Sequence, residues 1–179
     1  MVLFFRQQTL SLPLLMTLAL LSGCASTEKP PLTDKISEPA NARAANDALQ
    51  LQGQPYAYGG ASPREGFDCS GLVVYVYNRQ GLRLPRTAQS LAQRLPAVPP
   101  EQRQPGDLLF FHTDKPFSHV GIYVGDDNFV HAPSSRTGRV MLSSLRQHYW
   151  RERFIGVRRP TQVQALSFND ADFSNCGLN

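Results

Sequence analysis

The sequence predicts an α+β fold, in which helices come first along the chain and strands follow. Helical periodicity is confined to the stretch before Pro96, and alternating apolar and polar residues dominate from Asp107 onward. The predicted strands follow one another without crossover helices, which argues against a parallel, doubly wound sheet. With 179 residues, 41% of them hydrophobic and 18% charged, the chain has the composition of one globular domain with extra terminal segments.

The N-terminal segment, residues 1–23, has the pattern of a targeting signal. Its apolar stretch from Leu10 to Leu21 is too short to span a bilayer as a helix. It closes with Leu21-Ser22-Gly23-Cys24, which resembles a bacterial lipoprotein signal whose cysteine receives the lipid. We therefore expect mature protein to begin at Cys24. Because Ala25 rather than aspartate follows, we expect the lipid to anchor the protein to the outer membrane, facing the periplasm.

The segments on either side of the folded domain are poor in regular patterns. Residues 24–43 carry prolines among polar residues and predict a flexible tether, and residues 161–179 predict a C-terminal tail. The domain should therefore span residues 44–160. An ordinary secretory signal with an incidental Cys24 stays open as an alternative, as does a disulfide between Cys69 and Cys176 in an oxidising compartment.

The first elements of the domain are helical. A helix is predicted at about Ala44 to Leu51, before a loop rich in glycine and proline from Gly53 to Gly60. A second helix is predicted to start at Cys69 and to continue through the apolar run from Leu72 to Tyr77. A third is predicted near Thr87 to Leu95, with the threonine as its N-cap.

Strands follow these helices, because the apolar pattern changes from helical to alternating. The predicted strands are Asp107 to Phe111, His119 to Val124, Phe129 to Ala132, Val140 to Leu142 and Phe154 to Arg158.

Cys69 is the candidate nucleophile of the chain. It stands in Gly66-Phe67-Asp68-Cys69-Ser70-Gly71, directly ahead of a predicted helix. The unpaired N–H groups and the positive dipole end at a helix start favour the thiolate, which is the reactive form of cysteine. An ionised Asp68 beside the sulfur would oppose this, so we expect its carboxylate to point toward backbone donors or a substrate amine.

His119 and His131 are predicted to lie side by side on one face of a hairpin. Residues alternate faces along a strand, so Val120 points to the core and His119 to the other face. A loop from Val124 to Asn128 pairs Tyr123 with Phe129 and Gly121 with His131. In that register the two histidines are diagonal neighbours, with Cβ atoms about 7 Å apart.

Cysteine with two histidines suits nucleophilic acyl transfer. His119 would take the proton of Cys69 and later protonate the leaving amine, and His131 would hold His119 in the useful tautomer. The backbone N–H of Cys69 is a candidate oxyanion donor. A metal site built from these three residues stays open, although no short metal-ligand spacing is present. His112 and His148 are expected at the surface.

The charge of the chain excludes one class of partner. The net charge of +4 is mild, and no basic surface interleaved with aromatic residues is apparent. We therefore expect no nucleic-acid partner.

Six motifs in order make the region from about Asn46 to Arg159 resemble the NlpC-like family of bacterial cell-wall cysteine peptidases. They are Pro55-Tyr56-Ala57-Tyr58-Gly59-Gly60, Phe67-Asp68-Cys69-Ser70-Gly71, Leu84-Pro85-Arg86-Thr87, Pro105-Gly106-Asp107-Leu108, His119-Val120-Gly121-Ile122-Tyr123 and Phe129-Val130-His131-Ala132. The resemblance implies a papain-like fold, with the nucleophile at a helix start packed on a mainly antiparallel sheet. It also implies that Cys69 is the nucleophile, His119 the base and His131 the orienting residue.

The same resemblance implies the substrate: peptide bonds in the stem peptides of peptidoglycan, either between D-γ-glutamyl and diaminopimelate residues or in the crosslink. By likeness, Tyr56, Asp68 and Ser70 line the substrate side, and Arg86 meets a substrate carboxylate. Loop packing, helix capping and a structural salt bridge are the alternative roles of these four residues.

From the sequence we expect a lipid-anchored endopeptidase without metal or organic cofactor. A regulatory adaptor or protease stays open as a further partner, and the sequence does not identify it. Two other functions stay open. One is an inactive wall-binding or scaffolding lipoprotein, and the other is an acyltransferase or amidase with the same triad.

Overall fold

A computed structural model describes residues 40–161 of the chain. The helices in this part are α1 (Ala40–Gln50), α2 (Cys69–Arg79), α3 (Ala88–Arg94), a 3₁₀ turn (Pro100–Gln102) and α4 (His148–Arg153). The strands are β1 (Ala61–Ser62), β2 (Gly66–Phe67), β3 (Ala97–Val98), β4 (Leu108–Phe111), β5 (His119–Gly125), β6 (Asn128–His131), β7 (Met141–Ser144) and β8 (Phe154–Arg158).

Helix α1 corrects the predicted boundary between tether and domain. It begins at Ala40, four residues before the predicted start, because its first turn packs against the rest of the domain. A Cβ at Gly106 would lie 2.1 Å from the carbonyl oxygen of Asn41, so the two backbones are in direct contact. Residues 40–43 therefore belong to the domain and not to the tether. The rest of the tether, the signal segment and the tail beyond residue 161 lie outside the described residues.

The other two predicted helices are confirmed, together with their starting residues. Helix α2 begins at Cys69 with Asp68 as its N-cap. Helix α3 follows Thr87, whose hydroxyl accepts a hydrogen bond from the backbone N–H of Ser90 at 3.1 Å. An N-cap side chain commonly accepts a hydrogen bond in this way from a backbone N–H that has no partner within the helix.

Six strands form one antiparallel sheet in the order β3-β8-β4-β5-β6-β7. All five predicted strands are present, each within two residues of its predicted ends. The short strands β1, β2 and β3 and the helix α4 were not predicted from the sequence. Helices packed on a mainly antiparallel sheet confirm the α+β prediction.

Both faces of the sheet are buried, by different layers. Val120 and Ile122 of β5 belong to the core beneath the helices. Tyr123 points the other way, into a smaller aromatic cluster closed by Trp150 of α4. The ring of Tyr123 is therefore buried, because helix α4, which was not predicted, covers it.

An ion pair joins the last strand to the start of β4. Asp107 is fully buried, and both of its carboxylate oxygens accept hydrogen bonds from Arg159 at 2.7 Å. Asp107 also accepts a hydrogen bond from the backbone N–H of Gln104 at 2.8 Å, so its carboxylate holds the turn before β4. No helix within residues 40–161 has the length and apolarity that crossing a bilayer requires.

Candidate active site

The start of helix α2 fixes the position of Cys69. Asp68 has extended backbone angles, φ −90° and ψ 177°, and its carboxylate accepts a hydrogen bond from the N–H of Gly71 at 2.6 Å. Cys69 is therefore the first helical residue, as predicted. The buried residues of the following turns, Leu72, Val73, Val76 and Tyr77, anchor the helix in the core.

The thiol of Cys69 is surrounded by backbone donors, but burial dominates its electrostatics. Burial raises the pKa of Cys69, and the negative charge of Asp68 adds to this. The N–H groups of Val120, Ser70 and Cys69 itself act in the opposite direction without reversing the shift. The expectation of a thiolate favoured by the helix start is therefore wrong for the resting molecule, because desolvation of the charge outweighs the helix end.

Cys69 is a free thiol in the part of the chain that the structure describes. The other two cysteines, Cys24 and Cys176, lie outside the described residues. The alternative of a disulfide from Cys69 to Cys176 therefore stays a prediction.

The loop before the hairpin β1–β2 packs directly on the start of α2. The N–H of Asp68 donates to the carbonyl oxygen of Gly60 at 3.0 Å. A Cβ at Gly71 would lie 2.0 Å from that same oxygen, so only glycine allows the loop and helix to approach this closely. The loop carries Tyr56, and burial raises the pKa of Tyr56, with further contributions from the nearby charges of Cys69 and Asp68. Tyr56 therefore lies at the candidate site.

Three of the predicted substrate-binding residues are bonded to one another. The guanidinium of Arg86 donates to both oxygens of Asp68, at 3.0 and 2.9 Å, and to the hydroxyl of Ser70 at 2.9 Å. The backbone N–H of Gly59 donates to Asp68 at 3.0 Å. Burial opposes ionisation of Asp68, but these bonds outweigh it and lower the pKa of its carboxyl group. The prediction that Asp68 points to backbone donors is confirmed.

Of the two roles that the sequence left open for Arg86, the structural salt bridge is present, and it joins Arg86 to Asp68. The side chain of Arg86 remains 41% exposed, and a contact with a substrate carboxylate stays a prediction.

The two histidines meet as the hairpin register predicts. Tyr123 pairs with Phe129, and Gly125 pairs with Asn128 across the two-residue turn Asp126-Asp127. Val124 is the extra residue of a bulge, which keeps the side chains of both strands in the predicted phase. Nε2 of His119 lies 2.8 Å from Nδ1 of His131, so the rings are hydrogen-bonded.

A glycine makes room for this contact. A Cβ at Gly121 would lie 2.6 Å from Cδ2 of Phe129 and 3.3 Å from Cβ of His131. A side chain at this position of β5 would therefore overlap the ring of Phe129 and crowd the Cβ of His131.

Both histidines are uncharged at neutral pH. Burial lowers the pKa of His119 to about 4. Burial and the nearby charge of His119 lower the pKa of His131 to about 2. Since Nε2 of His119 is occupied by His131, Nδ1 is the ring atom left to accept a proton from Cys69. The thiol lies beside the N–H of Val120, the residue that follows His119.

Two residues of this site were not predicted. Trp150 stacks on His119, with ring centroids 5.4 Å apart and planes 26° apart, and meets His131 edge to face at 4.7 Å. Ser143 of β7 lies 2.9 Å from Nε2 of His131. The predicted strand ended at Leu142, one residue too early for Ser143, and Trp150 follows a stretch in which no helix was predicted. Extending the predicted strand by one residue would have placed Ser143 on the same face as Met141, because residues two apart share a strand face. This alternation was the sequence signal for Ser143.

The structure also locates the other two histidines and bears on the alternative of a metal site. His112 and His148 are exposed, as predicted. Within residues 40–161, no three His, Cys, Asp or Glu side chains are arranged to hold a metal ion.

The chain is similar to known cell-wall enzymes. The murein DD-endopeptidase MepH of Escherichia coli is 42% identical over 129 residues, which cover 69% of this chain and 47% of that protein. The probable endopeptidase NlpC of the same species is 40% identical over 151 residues, 82% of this chain and 96% of that protein. The chain thus spans about half the length of MepH, and only 34% of the bifunctional muramidase/DL-endopeptidase CwlT of Bacillus subtilis, which is 39% identical over 116 residues.

Solved structures and a family model agree with these relatives. An NLP/P60 family protein of Staphylococcus aureus superposes with a TM-score of 0.61 at 37% identity, covering 68% of this chain and 42% of that chain. An NlpC/P60 family protein of Bacillus cereus superposes with a TM-score of 0.63 at 34% identity, covering 68% and 40%. Residues 53–159 match the model of the NlpC/P60 family. The fold, the ordered motifs and these matches together establish that the chain belongs to the NlpC/P60 family.

Proposed function

We propose that this protein is a peptidoglycan endopeptidase that hydrolyses a peptide bond of the wall stem peptides, with Cys69 as its nucleophile. The observation that carries the proposal is the hydrogen-bonded pair of His119 on β5 and His131 on β6. Strand β5 meets the start of α2, where Cys69 lies beside the N–H of Val120. The names of the relatives, among them a murein DD-endopeptidase and a DL-endopeptidase, support the substrate class.

The reaction begins from a neutral thiol and a neutral imidazole. As the sulfur of Cys69 attacks the carbonyl carbon, its proton moves to Nδ1 of His119, and the carbonyl oxygen gains the negative charge. The backbone N–H of Cys69 is the proposed donor to that oxyanion. His119 then gives the proton to the leaving amine nitrogen, and a thioester remains on Cys69. Water, deprotonated by His119, releases the acid and restores the thiol.

His131 orients the base in this scheme. It accepts a hydrogen bond from Nε2 of His119, which keeps Nδ1 available and stabilises the imidazolium when it forms. We further propose that Tyr56, Asp68 and Ser70 line the substrate side, and that the exposed part of Arg86 meets a substrate carboxylate.

The experiment for this function uses the full chain in detergent, incubated with purified peptidoglycan and with isolated muropeptides, and a Cys69→Ala variant as control. New peptide fragments absent from the control, identified by mass spectrometry, establish the activity and the bond. Folded protein with a reactive Cys69 and no cleavage would instead favour an acyltransferase or amidase. An unreactive thiol would favour a wall-binding scaffold.

We also propose that a lipid on Cys24 anchors the enzyme to the outer membrane, facing the periplasm. The sequence Leu21-Ser22-Gly23-Cys24-Ala25 is the basis of this proposal. Labelling of cells with a radioactive fatty acid tests it. Label on the wild-type chain but not on a Cys24→Ala variant, together with fractionation into the outer membrane, supports the anchor. Unlabelled wild-type protein would contradict it.

A further inference from the structure

Ser143 completes a line of hydrogen bonds that starts at His119. Nε2 of His119 lies 2.8 Å from Nδ1 of His131, and Nε2 of His131 lies 2.9 Å from Oγ of Ser143. His119, His131 and Ser143 lie on the adjacent strands β5, β6 and β7. Phe129, two residues before His131 on β6, pairs with Tyr123 of β5 on one side and with Ser143 of β7 on the other. Each polar residue is thus the diagonal neighbour of the next.

The line is closed to water. His119, His131 and Ser143 are 4%, 0% and 5% exposed, and the ring of Trp150 packs against both histidines. A buried N–H without a partner is unfavourable, so the direction in which each hydrogen bond points is set within the line itself.

Only one direction of the line suits the proposed reaction. A neutral imidazole carries one N–H, so its other nitrogen is an acceptor. For Nδ1 of His119 to accept the thiol proton, the N–H must be on Nε2 and must donate to Nδ1 of His131. His131 then carries its own N–H on Nε2, where Ser143 accepts it.

The opposite direction fails when the proton moves. If Ser143 donated to His131, the N–H of His131 would be on Nδ1 and would face Nε2 of His119. Once His119 became an imidazolium, two N–H groups would oppose each other across 2.8 Å. A hydroxyl that accepts at the far end is therefore the arrangement that suits both the neutral and the charged state of His119.

We propose that Ser143 is a positioning residue which, as the hydrogen-bond acceptor of His131, sets the tautomers of both histidines and so keeps Nδ1 of His119 ready to act as the base. The catalytic effect of Ser143 rests on the proposed peptidase function. The tautomers of the two histidines can be measured without any substrate.

The test compares two variants of nearly the same shape. Ser143→Thr keeps the hydroxyl, and Ser143→Val replaces it with a methyl group. In the wild type and in Ser143→Thr, ¹⁵N spectra of histidine-labelled protein at pH 7 should show the proton on Nε2 of both rings. Ser143→Val should show a mixture of tautomers. The resonances are assigned with His119→Gln and His131→Gln variants.

Kinetics give the second readout. Ser143→Val should lower kcat by about tenfold with KM nearly unchanged, whereas Ser143→Thr should retain kcat within about threefold. Ser143→Ala provides a smaller side chain without a hydroxyl, in case branching at Cβ disturbs β7, and should behave like the valine variant. Equal kcat values and identical tautomers in all variants would overturn the assignment.

The outcomes separate this inference from the proposed function. If the wild type cleaves no peptidoglycan but the histidine tautomers still change in Ser143→Val, the role of Ser143 stands and the peptidase function is rejected. Cleavage by the wild type with tautomers that do not depend on Ser143 would keep the peptidase and reject the role of Ser143.

Discussion

At the scale of single residues, burial sets the protonation states of the site. Both imidazoles are buried and Cys69 is partly buried. Desolvation raises the pKa of Cys69 and lowers those of His119 and His131, so it favours the neutral form of each group. In the proposed reaction, the proton of Cys69 therefore moves to His119 as the sulfur attacks the carbonyl.

The first prediction concerns the pH dependence of this thiol. Because burial raises the pKa of Cys69, its alkylation by iodoacetamide should accelerate with pH and reach no plateau until above the ordinary value of about 8.5. Peptide mapping by mass spectrometry follows Cys69 separately from Cys24 and Cys176. A plateau below pH 7 would indicate a thiolate–imidazolium pair in the resting enzyme and would contradict this prediction.

The second prediction concerns the space between the histidines. Gly121→Ala should lower kcat on peptidoglycan by about tenfold or more, because the new methyl group would overlap the ring of Phe129 and crowd His131 beside it. Circular dichroism should show a folded protein. A Gly121→Ala, Phe129→Leu double variant, in which the clashing ring is smaller, should recover part of the loss. An unchanged kcat in the single variant would show that the histidines tolerate displacement.

At the scale of elements, the start of α2 is held by a neighbouring loop and by Arg86, two residues before α3. Asp68 caps the helix and accepts from the loop at Gly59, and Arg86 joins the same carboxylate. The close approach of Gly60 and Gly71 leaves no space for adjustment. The nucleophile is thereby placed by elements that come together only in the folded domain.

The third prediction tests this junction. Arg86→Ala should lower the free energy of unfolding by about 1–2 kcal/mol, because it removes the charged partner of a partly buried carboxylate. It should also slow alkylation of Cys69 at a given pH, since the charge of Asp68 then acts on the thiol without compensation. Arg79→Ala serves as the matched control.

Arg79 forms an exposed ion pair with Asp47 at the other end of α2. Its removal should lower the free energy of unfolding less than Arg86→Ala does and should leave the thiol unaffected, because exposed ion pairs contribute little. Equal effects of the two substitutions would show that Arg86 has no special role at the site.

The sequence predicted those parts of the fold and site that depend on local patterns. The start of α2 follows from Asp68 and the apolar run behind Cys69, and the hairpin register follows from strict alternation around His119 and His131. Residues whose roles depend on tertiary packing were not predicted. Trp150 and Ser143 come to the site from a short helix and from the end of a strand, and neither has a periodic signal of its own.

The charge state of Cys69 was predicted wrongly for a related reason. A helix start is visible in the sequence, but the burial that opposes it arises only when α2 packs against β5 and the loop from Tyr56 to Gly60. The same holds for the start of α1, which contacts Gly106 more than sixty residues later in the chain.

At the scale of the whole molecule, the domain buries two uncharged histidines within a sheet covered on both faces. Unfolding exposes these rings to water, where they bind protons at their ordinary pKa of about 6.5. Folded His119 and His131 bind protons only near pH 4 and pH 2. Between these values the unfolded chain holds more protons, so acidification favours unfolding.

The fourth prediction is therefore a pH dependence of stability. The contribution of these histidines is complete above about pH 6.5 and is lost as the pH falls toward 4 for His119 and further for His131, by up to about 1.4 kcal/mol per pH unit and histidine. Urea unfolding at several pH values measures it. A His119→Gln, His131→Gln variant should show a shallower slope. An equal slope in the wild type and this variant would contradict the prediction.

The separation of the site residues along the chain has a consequence for folding. His119 and His131 belong to one hairpin, 12 residues apart, whereas Cys69 lies 50 residues before His119. Short-range contacts close with less loss of chain entropy than long-range ones, so the base and its orienting partner meet early. The nucleophile joins them only when α2 docks. We therefore expect a partly folded chain that has formed this hairpin but has not yet docked α2 to lack peptidase activity, because its nucleophile is still apart from its base.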